Sequence, residues 1–271
     1  MSEPEGETKR QWAAIFDRAA PTYDHHASSY FAHAGARLAD YVKPTRGARI
    51  LDVACGRGAA LFAAMEHAGP TGAGLGTDIS PVMVESVVGE AAQRGLTNVN
   101  AAVMDAENLD LSDASFDVVL SAFSLHFLPS PERAAVEFRR VLRPGGVVGI
   151  SEWGATDPRW HWEDDLIRRF GMSRPRVTRP FDRVEDVTGL LQTAGFEDIR
   201  PNAEQWTIHL ADEEEWWQWK WSFAFRRHLE AMSPETLERY RKAAADAMRP
   251  LRGPGGYERV LHASFIVAVK P

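Results

Sequence analysis

The chain has 271 residues, 44% of them hydrophobic, which is enough for one sizeable core with material left for a cap. Its 31 Lys and Arg against 38 Asp and Glu give a formal net charge of -7, and no basic run is long enough to follow a phosphate backbone, which argues against nucleic acid as the substrate. The lone Cys55 excludes an internal disulfide and a multi-cysteine zinc site, and the absence of a signal-like or long apolar stretch predicts a cytoplasmic protein without a membrane span.

Residues 1 to 10 are polar and predict a mobile tail. From Gln11 to Val42 the pattern is helical, with Trp12, Ile15, Phe16 and Ala19 on one face. The turn Pro21-Thr22-Tyr23-Asp24-His25-His26 interrupts it, and Tyr30, Phe31, Ala34, Leu38 and Tyr41 resume it. Residues 1–44 therefore read as a tail and two helices that cover one end of a sheet or form a lid over a ligand.

An α/β alternation begins at residue 48. Ile50 to Ala54 form a buried strand that runs into the glycine turn Cys55-Gly56-Arg57-Gly58 and then into a helix to about residue 68. A second strand, Gly74 to Ile79, precedes Ser80, a helix N-cap with Pro81 at the first helical position. Val99 to Val103 and Phe116 to Ala122 supply two more strands, the latter an apolar run suited to a central position. Ser130-Pro131-Glu132 opens another helix, Arg143-Pro144-Gly145-Gly146 closes it, and Val147 to Ser151 form the fifth strand.

This order predicts an α/β fold, a doubly wound parallel sheet with ligands at the carboxyl ends of its strands. Beyond it, Trp153 to Asp182 reads as an irregular insertion, Val184 to Ala194 as a helix, and Phe196 to His209 as a sixth strand. Residues 212–248 read as helices, and Arg259 to Val269 as a last strand that pairs antiparallel with the sixth. The second unit, 45–271, thus carries cap insertions at about 153–182 and 210–256.

The glycine turn alone does not identify a ligand. Leu61 stands where a dinucleotide fingerprint has its third glycine, and no Lys-Ser/Thr follows Gly58, so NAD and ATP lose ground. Asp78, 20 residues past Gly58 at the end of the second strand, suits ribose hydroxyls. Asp105 follows the third strand, where it can meet an adenine amino group, and Asp52 brings a negative charge that suits a cationic ligand. Together these point to a sulfonium nucleoside with an amino-acid tail. Cys55, at the apolar end of the first strand, reads as a packing thiol.

Ile50-Leu51-Asp52-Val53-Ala54-Cys55-Gly56-Arg57-Gly58, Gly76-Thr77-Asp78-Ile79-Ser80, Met104-Asp105-Ala106-Glu107 and Arg140-Val141-Leu142-Arg143-Pro144-Gly145-Gly146 resemble the class I S-adenosylmethionine-dependent methyltransferases. Phe16-Asp17-Arg18-Ala19-Ala20-Pro21-Thr22-Tyr23-Asp24 resembles the N-terminal segment of their small-molecule and ubiquinone/menaquinone-type branch. The resemblance implies a Rossmann-like seven-stranded sheet with an antiparallel last strand, and S-adenosyl-L-methionine as cofactor. It further implies that Gly56 and Gly58 line the methionine moiety beside Ala54, with Asp52 near the ammonium group and Ser121 alongside. Asp78 takes the ribose hydroxyls, Ile79 and Met83 the adenine face, Asp105 and Ala106 the adenine edge, and Tyr23 closes over the cofactor.

Methyl transfer from a positive sulfur needs positioning, a dry pocket and at most a base. His126 after the fourth strand is the first candidate base, Glu152 at the end of the fifth the second, and His25 and His26 the third. No histidine-rich metal site and no Asn-Pro-Pro-Tyr or Asp-Pro-Pro-Tyr amino-methylation signature is present. Of nine tryptophans, eight follow residue 150, and an aromatic cage built from them suits a planar or apolar small molecule. Trp216, Trp219 and Phe223 also have the spacing of a buried helix stripe, so core packing and a homodimer contact stay open. The expected activity is methylation of a small aromatic or apolar metabolite, a natural-product intermediate, with O-methylation ahead of C- and N-methylation. The alternatives are a quinone-ring C-methyltransferase and a protein that binds the cofactor without transferring methyl, of pericyclase or regulatory type.

Overall fold

Residues 5–24, 29–172, 181 and 183–271 are described by a computed structural model. Five strands form the parallel part of the sheet: β1 (Arg49–Val53), β2 (Ala73–Asp78), β3 (Val99–Val103), β4 (Phe116–Ala122) and β5 (Leu142–Trp153). β6 (Glu197–Leu210) and β7 (Tyr257–Val269) complete it, and among the described residues the order is β3-β2-β1-β4-β5-β7-β6. β7 runs antiparallel to both of its neighbours. β1 and β4 are buried almost throughout because their side chains are apolar on both faces, whereas Val103 on edge strand β3 is 54% exposed.

The first half follows the predicted order. α3 (Ala59–Ala68) and α4 (Pro81–Gln93) connect β1 to β2 and β2 to β3, and the Ser80 hydroxyl accepts the Met83 N–H at 3.1 Å as the expected N-cap. α5 (Pro131–Val141) and α7 (Val184–Thr193) bury Phe138, Leu190 and Leu191 against one face of the sheet. α2 (Tyr30–Val42) lies with α3 on the other, at a separation that requires Gly35: a Cβ there would stand 2.7 Å from the Ala59 carbonyl carbon.

Two expectations fail. The tail reading of residues 1 to 10 is overturned from Glu5 onward, because α1 spans Glu5–Ala19 and buries Trp12 and Ile15. Its polar first turns are held by partners distant in sequence, Lys9 Nζ lying 2.8 Å from Asp105 and 2.7 Å from Glu107. The insertion after Trp153 is not irregular throughout either, since it contains α6 (Trp162–Arg169), with acidic residues in its first turn and basic residues in its last.

Three further helices, α8 (Glu213–Trp221), α9 (Arg226–Glu230) and α10 (Pro234–Met248), lie between β6 and β7. Trp216 and Trp219 of the predicted stripe are buried and Phe223 is partly buried, but Trp217, off the stripe, is buried too, so α8 packs into the core on more than one face. At the centre of this cap, Glu163 Oε1 accepts from Lys220 Nζ at 2.8 Å, Arg259 Nη1 at 2.8 Å and Trp216 Nε1 at 2.9 Å. The Lys220 ammonium stands over Trp219 at 4.8 Å, Phe225 at 5.0 Å and Trp216 at 5.3 Å. The aromatic cage expected around a planar or apolar small molecule therefore holds, at Trp216 and Trp219, the chain's own lysine.

Burial raises the Glu163 carboxyl, but Arg259 and Lys220 outweigh it and hold the group at about 2. Burial also brings Lys220 down to about 8, against the opposing pull of Glu163. Glu163→Gln removes the carboxylate that contacts both cations and is expected to destabilise the protein by about 3 to 5 kcal/mol in urea unfolding. A loss under about 1 kcal/mol, the size of an exposed pair, would contradict the account.

Candidate active site

A cleft opens at the carboxyl ends of β1 to β4. The turn after β1 places three residues at positive φ: Ala54 at 54°, Gly56 at 53° and Gly58 at 82°. Phe123, just after β4, is also at positive φ, 52°, and like Ala54 it lines the cleft without being glycine. Two non-glycine residues in the left-handed region thus stand at the ends of the adjacent strands β1 and β4, both on the cleft rim.

Asp78 ties the turn together. Its Oδ2 accepts the Gly56 N–H and its Oδ1 the Ser80 N–H, both at 2.9 Å. Burial raises its carboxyl, and the N–H groups of Ser80, Gly56 and Ile79 oppose that rise. Asp52 accepts the Leu61 N–H at 3.0 Å through Oδ2, while its Oδ1 is buried with no partner. Burial pushes the Asp52 carboxyl up to about 8, helped by the neighbouring charge of Asp78. Asp52 borders a second groove, which shares Tyr23, Ala54, Gly56 and Phe123 with the cleft.

Tyr23, Ala54, Gly56, Asp78, Ile79, Met83, Asp105 and Ala106 all line the cleft. Of the other predicted cofactor residues, Asp52 lies on the second groove, and Gly58 and Ser121 line neither. A Cβ on Gly58 would meet Phe62 at 2.8 Å and Val87 at 3.3 Å, so this glycine shapes the turn from below. Ser121 is fully buried, its hydroxyl 3.2 Å from the Val53 carbonyl and 2.5 Å from Ser124 Oγ, and so it faces the sheet interior. Asp105 is in the wall with both oxygens engaged, Oδ2 with Lys9 and Oδ1 with the Glu107 N–H at 2.9 Å. Cys55 is buried, a Cβ on Gly76 would stand 2.8 Å from its Sγ, and burial raises its thiol, all consistent with a packing role.

His126 and Glu152 form a pair beside the cleft. Nδ1 of His126 lies 2.8 Å from Glu152 Oε2, and Glu152 Oε1 accepts the Leu125 N–H at 3.0 Å. Glu152 is 1% exposed, which fixes the carboxylate and through it the imidazole. Next to His126, Phe127 and Ser124 reach the cleft wall. His25 and His26 lie outside the described residues.

The sequence reading set Trp12 and Phe16 on one face of a helix that covers a sheet end or forms a lid, and left Lys9 in a tail. Lys9, Trp12 and Phe16 line the cleft, and their i, i+3, i+7 spacing is the signal that could have found them. Asp17 accepts from Ser80 Oγ at 2.5 Å, and Arg57 Nη1 donates to the Ala20 carbonyl at 2.7 Å, so this helix is fastened to both sides of the cleft. An aromatic wall continues inward: Tyr23 stacks on Phe31 at 4.7 Å, and Tyr30 stacks on Trp153 at 4.5 Å and on Trp206 at 5.1 Å.

The residues fit a cationic nucleoside with an amino-acid tail. The orphaned Asp52 oxygen offers an acceptor to an ammonium group, and the Asp78 oxygens each keep a lone pair beyond the one used on the backbone. No group of three His, Cys, Asp or Glu that could hold a metal is found among the described residues. No described helix is long and apolar enough to cross a membrane.

Residues 50–146 match the methyltransferase domain family. The chain is 33% identical over 253 residues to nocamycin O-methyltransferase of Saccharothrix syringae, covering 88% of this chain and 89% of that protein. It is 40% identical over 143 residues to aklanonic acid methyltransferase DauC of Streptomyces sp. (strain C5), covering 53% of this chain and 65% of the relative. Among solved structures, the [4+2]-cyclase SpnF superposes with a TM-score of 0.54 at 25% identity, over 87% of this chain and 80% of that one. With a relative matched over nearly its whole length, the observed strand order and this cleft, the chain belongs to the class I S-adenosylmethionine-dependent methyltransferase superfamily and takes S-adenosyl-L-methionine as its cofactor.

Proposed function

We propose that the protein methylates an oxygen of a small, aromatic or otherwise apolar natural-product intermediate. The observation that carries this reading is the His126–Glu152 pair: a carboxylate on Nδ1 selects the tautomer with its proton there and leaves Nε2 free to take one from an acceptor hydroxyl. The relatives named for nocamycin and aklanonic acid support the substrate class. The aromatic wall from Tyr23 to Trp206 supplies a dry surface for a flat acceptor.

Within the cleft, Asp78 holds the ribose hydroxyls, Ile79 and Met83 flank the adenine, and Asp105 with Ala106 meets its edge. Gly56 and Ala54 make room for the methionine part, Asp52 pairs with its ammonium, and Tyr23 closes above. When bound, the cofactor supplies a methyl group activated by a positive sulfur. The chain's work is then to exclude water, align the acceptor and remove its proton.

Asp52 gives this arrangement a proton signature. Its folded pKa of about 8 lies above the ordinary carboxyl value, so between about pH 4 and 8 the folded apoprotein holds a proton that the unfolded chain lacks, and stability falls as pH rises through that range. An ammonium beside the carboxylate reverses the shift. Cofactor binding at pH 7 is therefore expected to release about one proton, read as a buffer-dependent binding enthalpy in calorimetry, and Asp52→Asn should abolish the release. A binding enthalpy independent of buffer would contradict the pairing.

A second reading has one observation behind it, the 25% identity to the [4+2]-cyclase SpnF, and assigns a rearrangement without methyl transfer. Incubation with methyl-labelled S-adenosylmethionine and small-metabolite extracts separates the two. Transfer of label with formation of S-adenosylhomocysteine is expected. Tight cofactor binding with no transfer to any extract would favour the cyclase reading.

A further inference from the structure

Behind the cleft, one face of the sheet carries donors that nothing accepts. On β7, Arg259 is opposite Ile208, Leu261 opposite Trp206 and Ala263 opposite both Glu204 and Trp153. Cross-strand partners share a face, so Trp153, Trp206 and Arg259 look to the same side, and Tyr30 stacks there on both tryptophans. Phe123 of the cleft wall packs on Tyr30 at 5.2 Å and on Trp153 at 4.8 Å, so this region begins one ring behind the cleft.

The Tyr30 hydroxyl, Trp206 Nε1 and Arg259 Nε are all buried without a hydrogen-bond partner. Tyr30 is 0% and Arg259 8% exposed. Indole and guanidinium nitrogens can only donate, and buried donors left unpaired are costly enough that each calls for an explanation. The charges lean the same way. The Glu163 carboxylate faces two cations, Lys220 and Arg259, and its Oε1 takes all three surrounding donors. Arg259, whose guanidinium carbon stands over Trp160 at 4.9 Å and over Trp219 at 5.3 Å, shares Glu163 with Lys220 and keeps an unused Nε donor.

We propose that the methyl acceptor carries an anionic oxygen group, a carboxylate or an ionised enol or phenol, which docks on the Nε edge of Arg259 with the Tyr30 hydroxyl as a second donor. The proposal rests on the methyltransferase reading above and names the chemistry of its substrate. Trp153, which stacks on Tyr30 at 4.5 Å, directly follows Glu152 in β5, so an acceptor anchored beside Tyr30 lies next to the strand end that carries the His126–Glu152 pair. A guanidinium already fixed by Glu163 and two indoles loses little freedom on binding an anion.

The test is calorimetric titration of the S-adenosylhomocysteine complex with 2-naphthoate and with its neutral isostere, 2-naphthamide. The acid is expected to bind about tenfold or more tightly than the amide. Tyr30→Phe keeps the ring packing, and Arg259→Lys keeps a cation for Glu163 while removing the Nε donor. Each is expected to reduce acid affinity by about fivefold or more and to leave the amide and S-adenosylhomocysteine affinities unchanged. Equal binding of acid and amide would assign the orphan donors to buried water and overturn the proposal. So would binding of neither, or an acid preference that survives both substitutions. Failure of S-adenosylhomocysteine itself to bind would strike the cofactor assignment, and the proposal with it, and is read separately in the first titration.

Discussion

Asp78→Ala is expected to weaken S-adenosylmethionine binding by at least about 1 to 3 kcal/mol, roughly a five- to 150-fold rise in Kd. The effect has two parts. A ribose hydroxyl pair loses its acceptor, and the Gly56 and Ser80 N–H groups that Asp78 holds at 2.9 Å are released, so the turn itself loosens. Asp78→Asn separates them, since its single carbonyl oxygen can keep one backbone contact while the carboxylate charge is gone. Calorimetric titration of both variants, with thermal unfolding to confirm that each is folded, measures the loss. Unchanged affinity in Asp78→Ala would remove Asp78 from the cofactor site.

His126→Ala is expected to lower kcat by about 10² to 10⁴ while cofactor affinity stays within about twofold. Glu152→Gln is the sharper test. The glutamine can still accept the Leu125 N–H that Glu152 now takes at 3.0 Å, so the local backbone keeps its partner. Its amide NH₂ can instead donate to Nδ1, which stabilises the tautomer with the proton on Nε2 and removes the base. Glu152→Gln should therefore approach His126→Ala in kcat, with a normal thermal midpoint and normal cofactor binding. A loss under about tenfold in both variants would make the pair a packing feature of the cleft rim.

The nucleotide-binding half was legible because its signals are local. Ile50 to Gly58, Ser80-Pro81 and the apolar run of β4 each state their structure within ten residues, and the sheet followed. What escaped the reading depends on partners far along the chain. Lys9 is a tail residue until Asp105 and Glu107 are known to face it. Lys220, between Trp219 and Trp221, has the look of a solvated cation, yet it is 3% exposed because Glu163, on a different helix, neutralises it. Gly58 and Ser121 sit at the motif positions expected to touch ligand, but packing against Phe62 and Ser124 turns them inward. Sequence order indicated which strand ends meet; it did not show which atoms at those ends are already spent.

The place of β7 has a consequence for how the molecule is made. Although last in sequence, β7 is an interior strand that separates β5 from β6. Until residues 257–269 emerge from the ribosome, β5 presents an unpaired edge, β6 has no sheet to join, and Glu163 and Lys220 wait for Arg259. The five parallel strands can assemble as synthesis proceeds, but the cap must remain open until the end, with its tryptophans uncovered. Nascent chains stalled within the cap should therefore be the form that chaperones hold and that aggregates most readily.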